Sequence, residues 1–154
     1  MAGKHNPYYE RTYLWDATQT TYAGAPVVMS SSTDEMVTVP AGTSADVIFG
    51  IASEDAGPAA FASAVNEKVV AVQWAGNAQM YAKGAITRGQ RVKVGPTITI
   101  TPAGYTQPIT INTAQAATQA TAGSQPYPIL GVATNSTSQD GDIIYVWLQQ
   151  GAMY

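Results

Sequence analysis

Four acidic residues come closest to a chemical site in this sequence. Glu54 and Asp55 are adjacent, and Asp140 and Asp142 flank Gly141. Neighbouring carboxylates in a loop can hold Ca²⁺, but these four lack the regular ligand series of a known calcium-binding loop. The commoner role of Asp at such positions is to cap turns. The enzymatic alternative is a hydrolase that uses acids such as Glu54 and Asp142, which no sequence motif pairs.

Other catalytic chemistry lacks its residue types. His5 is the single histidine and the chain has no cysteine, which excludes a cysteine nucleophile and argues against a Ser-His-Asp triad or a histidine metal site. Neither glycine-rich phosphate loops nor stripes of alternating basic and aromatic residues occur. We therefore predict that the protein is not an enzyme, and we assign it no catalytic residue, metal or cofactor.

The composition predicts a mostly β protein of one domain. The chain has 154 residues, with 13 Val and 10 Ile against 3 Leu. β-Branched side chains suit a pleated, half-buried surface better than a helix. Only 11% of the residues are charged, so the hydrogen-bonding groups of the surface come mainly from the uncharged side chains of Thr, Ser, Gln and Asn. Such a surface suits lasting contact with another protein.

Charge is unevenly distributed along the chain. The net charge of −3 argues against nucleic acid as a partner, because binding to its phosphates depends on clustered Lys and Arg side chains. Between Arg11 and Lys68 there are seven acids and no base, whereas residues 83–93 contain four bases and no acid. This asymmetry reflects either solvated loops of opposite sign or head-to-tail complementarity between copies of the chain.

No segment of the sequence resembles a targeting or membrane-spanning element. The first residues lack the apolar core of a signal peptide, and no run approaches the roughly 18 apolar residues that cross a bilayer. We expect a soluble protein that is made in the cytoplasm and has no membrane partner.

Alternating segments predict the main strands. Residues 68–74 alternate apolar and other side chains, and residues 140–149 form the clearest strand region. Residues 97–101 and 108–112 predict a β-hairpin. One short Ala-rich helix is expected at residues 57–66, where Pro58 suits the first helical position. Residues 114–122 have helical composition but too small an apolar face, which indicates a loop or weak helix.

The N-terminal residues 1–23 are rich in aromatic side chains. Aromatic rings are enriched at interfaces because they bury large area at low entropic cost. We expect an extended arm that contacts a partner, with these residues as candidates: Tyr8, Tyr9, Tyr13 and Trp15. The alternative is that the segment packs on its own domain as a first strand.

The remaining chain, residues 24–150, contains an internal two-fold sequence repeat. Three segments recur in the same order: 24–27 with 89–92, 48–52 with 129–133, and 70–74 with 144–148. Repeat one spans about 24–76, and repeat two about 84–150 with an excursion at 97–128, followed by a tail at 151–154. Insertions fall between the aligned segments, as expected for strands of a shared framework. The alternative is chance similarity among Val- and Ile-rich strands.

The repeat also assigns faces to its last strand. If Val70 and Val72 point inward, Ile144 and Val146 do so too, which leaves Tyr145 and Trp147 outward. We predict that these two aromatics contact another copy of the chain. The alternative is that this strand is covered on both faces by the 97–128 excursion or the N-terminal segment.

Several glycine and valine motifs resemble the small capsid decoration, or cement, proteins of tailed bacteriophages. These motifs are residues 48–56 (IFGIASEDA), 69–72 (VVAV), 85–92 (AITRGQRV), 129–133 (ILGVA) and 141–146 (GDIIYV). Together they extend over roughly residues 24–150. The aromatic N-terminal segment and the 97–128 excursion depart from the shortest members of the family.

The resemblance implies a small β-barrel or sandwich-like protein on the outer surface of an expanded capsid. Such proteins bind the major capsid protein, mostly as homotrimers, and stabilise the shell by bridging its subunits. The competing interpretation is another virion β-module, such as a tail or head-fibre component that binds host glycans through an exposed aromatic platform with amide or carboxylate neighbours.

Overall fold

Ten β-strands form the framework of the protein in this computed structural model, which describes residues 9–41, 47–57, 68–124, 127–149 and 153–154. They are β1 Glu10–Trp15, β2 Pro26–Met29, β3 Met36–Thr38, β4 Gly50–Ala52, β5 Val69–Gln73, β6 Asn77–Lys83, β7 Arg91–Ile100, β8 Ile109–Ala116, β9 Gly131–Ala133 and β10 Ile143–Leu148. The described ranges contain no helix. The predicted Ala-rich helix at 57–66 lies, apart from Gly57, outside them.

The strands close into two barrels of five strands each. Around the first barrel the order is β1-β3-β2-β4-β5, and around the second it is β6-β8-β7-β9-β10, with the last strand of each pairing back to the first. Closure satisfies the backbone groups that an open sheet edge would leave unpaired. The predicted mostly β, barrel-like fold is confirmed, but as two barrels rather than one.

The pairing pattern is the same in both barrels. One pair in each, β1 with β3 and β6 with β8, is parallel, and the other pairs are antiparallel. The registers also correspond. Equivalent pairs are Val27–Gly50 and Val92–Gly131, Ala52–Val72 and Ala133–Val146, Tyr13–Val70 and Met80–Ile144, and Trp15–Val37 and Ala82–Ala114. Each strand from β1 to β5 therefore has a structural equivalent among β6 to β10, with matching register at these paired positions.

Each barrel has its own apolar interior. Side chains alternate along the strands, so that Val70 and Val72 on β5, and Ile144 and Val146 on β10, are fully buried. Burying such a side chain contributes about 1.5–3 kcal/mol. The first interior is built around Trp15 and the second around residues that include Met80. The inward faces predicted for β5 and β10 are therefore confirmed.

A glycine occupies the first position of both β4 and β9, where two backbones come unusually close. A Cβ on Gly50 would lie 2.6 Å from the carbonyl oxygen of Gln73. A Cβ on Gly131 would lie 1.9 Å from the carbonyl oxygen of Trp147. Both distances are below any tolerable contact, so only glycine permits these strands to pair with β5 and β10.

The N-terminal segment follows the alternative, a first strand that packs on its own domain, rather than the extended arm. Residues Glu10–Trp15 are not an extended arm but strand β1, which pairs with β5 along its length and with β3 at its end. The reason is that Trp15 and Tyr13 alternate toward the first interior while the backbone closes the barrel. The first barrel thus begins at Glu10 rather than near residue 24, and the second at Asn77 rather than near 84.

The predicted hairpin within the 97–128 excursion is confirmed. It extends β7 and β8, with Thr97 opposite Asn112 and Ile100 opposite Ile109. A shift in register between Val94 and Thr97 separates it from the barrel. The expected loop or weak helix at 114–122 is wrong at its start, since residues 114–116 belong to β8, where pairing with β6 and β7 satisfies their backbone groups.

The described end of the tail lies against the second barrel. Met153 forms an isolated bridge with Pro128. The Tyr154 amide donates a hydrogen bond to the Tyr127 carbonyl oxygen at 3.0 Å, and the Tyr127 amide donates one in return at 3.3 Å. The chain end is therefore fixed beside the start of β9.

Candidate assembly surface

The four acids considered for catalysis or calcium binding are engaged by the backbone. Each carboxylate accepts a hydrogen bond from an amide: Glu54 from Ala71 (2.9 Å), Asp55 from Ala23 (2.8 Å), Asp140 from Gly84 (2.8 Å) and Asp142 from Ser138 (2.8 Å) and Gln139 (3.1 Å). Glu54 belongs to the first barrel and Asp142 to the second. Within the described ranges no group of three or more potential ligands could hold a metal ion.

These hydrogen bonds also act on the charge of the second pair of acids. The pKa of Asp142 is lowered from its usual value by the amides of Ser138 and Gln139. The pKa of Asp140 is lowered chiefly by the hydrogen bond from Lys83. Both carboxylates therefore stay ionised at neutral pH, as suits residues that fix the turn before β10.

The aromatic residues predicted to contact the capsid are largely used inside the first barrel. Trp15 is 1% exposed, and its indole N–H donates to the Gln19 carbonyl oxygen at 2.9 Å. Its side chain is a core residue and cannot reach a partner, which corrects the prediction. Tyr13 is half-buried, and its ring packs edge-on against that of Phe49 with the ring centres 5.0 Å apart.

Tyr9 is the exposed member of this group. Its side chain is 38% exposed and meets the ring of Trp74 edge-on at 6.0 Å. Its carbonyl oxygen also accepts a hydrogen bond from the Trp74 amide. Tyr9 thus stands at the junction between β5 and β6 with part of its ring accessible. Tyr8 lies outside the described residues.

The outer side of the second barrel carries the exposed aromatic face that the sequence predicts. Along β10, Trp147 is 52% exposed, Ile143 is 44% exposed and Tyr145 is half-buried. Cross-strand pairing places Trp147 between Val132 on β9 and Asn77 on β6. Arg91 on β7 continues the same row beyond Val132. We call the row Arg91, Val132, Trp147 and Asn77 the aromatic row.

Hydrogen bonds hold the aromatic row in place. The Tyr145 amide donates to the Asn135 side-chain oxygen at 2.7 Å. The Thr134 hydroxyl lies 3.1 Å from Asn77 Oδ1 and 3.2 Å from the Tyr145 carbonyl oxygen. Because Ile144 and Val146 fill the interior directly beneath, the outward side chains project from a rigid sheet. A preorganised surface loses little entropy when it binds.

Two bases near this row lie over aromatic rings. The Arg91 guanidinium carbon is 4.5 Å from the centre of the Tyr154 ring, and Lys93 Nζ is 5.1 Å from that of Tyr127. Such contacts keep the positive charge while they fix its position. Arg88 and Arg91 are both exposed. The positive run noted in the sequence therefore borders the aromatic row.

A contact that the sequence does not predict joins the hairpin to the first barrel. The Tyr105 hydroxyl, in the hairpin turn, lies 2.6 and 2.7 Å from the two carboxylate oxygens of Asp55. The ring of Tyr22 meets Tyr105 edge-on at 6.0 Å. Burial, and then the hydrogen bond to Asp55, raise the pKa of Tyr105 far above its usual range. No pattern in the sequence links these residues, which are fifty positions apart.

Burial also raises the pKa of two further tyrosines near Asp55. For Tyr22 and Tyr81, desolvation is the main cause and the negative charge of Asp55 adds to it. Three neutral tyrosines therefore surround one carboxylate where the two barrels meet. The arrangement is typical of a structural tie, since Asp55 already accepts hydrogen bonds from Ala23 and Tyr105.

Among the described residues there is no helix long and apolar enough to cross a membrane. Comparison of the chain with models of known protein families and with curated proteins finds no match.

Proposed function

We propose that this protein is a structural, non-enzymatic component of a bacteriophage virion. It binds the outer surface of the expanded capsid and stabilises the shell by bridging major capsid subunits. The observation that carries the proposal is the aromatic row, in which the large apolar side chain of Trp147 stands exposed on the outside of a closed barrel. The motifs that resemble capsid decoration proteins supply the identity of the partner.

The proposal assigns separate roles to the exposed aromatics. Tyr9, with Tyr8 before it, contacts the capsid, whereas Tyr145 and Trp147 contact another copy in a homo-oligomer, for which the resemblance favours a trimer. Many copies that each bury a modest area would stabilise the shell by multivalency. Because the protein binds only the expanded form of the shell, its binding shifts the equilibrium further toward that form. Neither nucleic acid nor membrane is a partner in this proposal.

We also propose that the two barrels are copies of one sequence unit. Their shared strand order and register support it, as do matching contacts outside the strands. Ala71 donates to the Glu54 side chain in the first barrel, and Tyr145 donates to Asn135 at the equivalent position in the second. Separate determination of the structure of a single barrel would test whether each unit folds alone.

Co-sedimentation with capsid shells tests the capsid proposal. The purified protein is mixed with expanded and with unexpanded shells, and the bound fraction is measured across protein concentrations. We expect saturable binding to expanded shells alone. Tyr9→Ala should weaken this binding by about tenfold, while Met29→Ala, at a similarly exposed site, should not. Binding to neither shell, or equally to both, would refute the proposal.

One observation favours a second candidate function, the binding of host glycans. Trp147 presents an exposed ring directly opposite the side-chain amide of Asn77, a pairing of aromatic and amide that suits a sugar ring. Glycan-array binding by the isolated protein that disappears in Trp147→Ala would support this function. Self-association that survives the same substitution would then assign the aromatic row to glycans instead of to a second copy.

A further inference from the structure

The first barrel docks onto the second through a defined set of residues. Ile51 is 2% exposed and belongs to the buried cluster otherwise made of second-barrel residues, and Ile48 packs against the same cluster. A Cβ on Gly24 would lie 3.2 Å from the Gln79 carbonyl oxygen and 3.7 Å from the Tyr81 ring. We call Gly24, Ile48 and Ile51 the docking face. We call residues 79–81 of β6 the receiving face.

The second barrel carries a second docking face. Gly89 is equivalent to Gly24, because their amides donate to Ala133 and Ala52 at matching positions. A Cβ on Gly89 would have nothing within 4 Å, in contrast to Gly24. Val132 is equivalent to Ile51 and is only half-buried, with Trp147 exposed beside it. The equivalent of Ile48 is Ile129, which is already buried.

The first barrel carries a second receiving face. Register makes Thr12 equivalent to Gln79 and Leu14 equivalent to Tyr81. Thr12 is exposed, and Leu14 is 46% exposed, a large apolar side chain on an outer face. One molecule thus uses one docking and one receiving face internally, and carries a second version of each in which Trp147 and Leu14 are exposed.

Charge favours the pairing of these two faces. Arg88 and Arg91 are exposed beside the second docking face. Beside the second receiving face lies Asp16, at the end of β1, which supplies the negative charge there; the nearby carboxylate of Glu35 is already paired with Arg11 at 3.0 Å. Two copies of the docking face would repel each other, whereas a docking face and a receiving face attract.

We propose that a second copy of this chain docks head to tail. The row of Val132 and Trp147 on one molecule packs on Thr12 and Leu14 of the next, and so repeats between molecules the contact that joins the barrels within one. Such an interface is heterologous, and it closes into a ring or continues as a filament according to its rotation. Head-to-tail docking does not depend on the proposed function. Only the expectation of a ring of three subunits rests on it.

Complementary variants of the full chain test this inference without capsid. Trp147→Ala disables the docking face and Leu14→Lys disables the receiving face by apposing a positive charge to Arg88. Analytical ultracentrifugation should show association of the unaltered protein, and a dissociation constant raised at least about 30-fold in each variant. Met29→Lys, exposed on β2 outside both faces, should associate as the unaltered protein does.

Mixing the two variants provides the decisive outcome. Each retains one working face, so the mixture should form a one-to-one heterodimer and stop there. If Leu14→Lys associates alone as well as the unaltered protein does, the interface is not head to tail. A monomer at all concentrations for the unaltered protein would also overturn the inference. Capsid co-sedimentation is measured separately, so failure of capsid binding leaves these results intact. Thermal unfolding of each variant verifies that it is folded.

Discussion

Loss of the Tyr105 hydroxyl should loosen the tie between hairpin and first barrel. Tyr105→Phe removes a hydrogen bond to the carboxylate of Asp55, at 2.6 and 2.7 Å from its oxygens, and leaves the ring contact with Tyr22 in place. A hydrogen bond to a charged group contributes about 1.5–3 kcal/mol when buried. Because Tyr105 is only half-buried, and Asp55 keeps its hydrogen bond from Ala23, we expect a loss of about 1–2 kcal/mol.

A double-mutant cycle with Asp55→Asn measures this contact directly. Urea unfolding at pH 7 of the unaltered protein, both single variants and the double variant should give a coupling energy of about 1 kcal/mol. Additive effects would refute the contact. Tyr22→Phe serves as a control, because it keeps the ring against Tyr105.

The same contact predicts how stability depends on alkaline pH. Since the pKa of Tyr105 is raised in the folded state above its ordinary value of 10.0, the folded protein holds this proton more tightly than the unfolded chain does. The stabilisation of the fold that comes from this tightly held proton is therefore complete below pH 10, and it is lost as pH rises above that value. The stability difference between the unaltered protein and Tyr105→Phe should shrink from pH 9 to pH 11. A constant difference across this range would contradict the assignment.

Four further substitutions test particular features of the barrels. The Thr21 hydroxyl is buried with no hydrogen-bond partner in the described part of the chain, and the equivalent position in the second barrel is the apolar Ile86. Thr21→Val should therefore raise the free energy of unfolding by about 1 kcal/mol, as measured by urea unfolding. Gly131→Ala should lower the free energy of unfolding by about 3 kcal/mol or more, because the new Cβ would clash with the Trp147 carbonyl oxygen. Gly89→Ala should lower it by only about 1–2 kcal/mol, because the Cβ would enter open space and only the φ of +88° is strained. The lowered pKa of Asp142 contributes stability above pH 3.8 that is lost as pH falls below it, so Asp142→Asn should destabilise the protein more at pH 6 than at pH 3.

The parts of the fold that the sequence predicts are those set by local alternation. In β5, β10 and the hairpin, apolar side chains recur at every second residue, and the pleat of a strand converts that period directly into two faces. The outward position of Trp147 follows from the same rule applied to the alignment of 70–74 with 144–148. The exposed fraction of 52% at Trp147 agrees with that outward assignment.

Closure of the barrels depends instead on distant partners. Residues Glu10–Trp15 contain no clear period, and their strand state is decided by β5, some sixty positions away, which offers them a backbone ladder and a core for Trp15. Strands β4 and β9 have only three residues each, too few to show a period, and the sequence indicates them only through the match of residues 48–52 with 129–133. The hydrogen bond from Tyr105 to Asp55 likewise depends on the path of a turn that no local pattern specifies.

Equivalent residues differ between the two barrels in a way that favours burial of the aromatic row by another molecule. In the first barrel the matching row is Pro26, Ile51, Gln73 and Glu10. Ile51 is buried at the contact with the second barrel, Pro26 is also buried, and Gln73 is half-buried. In the second barrel Trp147 replaces Gln73, although no strand or loop of the described ranges covers its side chain, which is 52% exposed. A row that faced water alone would gain nothing from exchanging an amide for an indole. Covering the row with the next molecule would supply the burial that Trp147 lacks, at the place where the first barrel obtains it from the second.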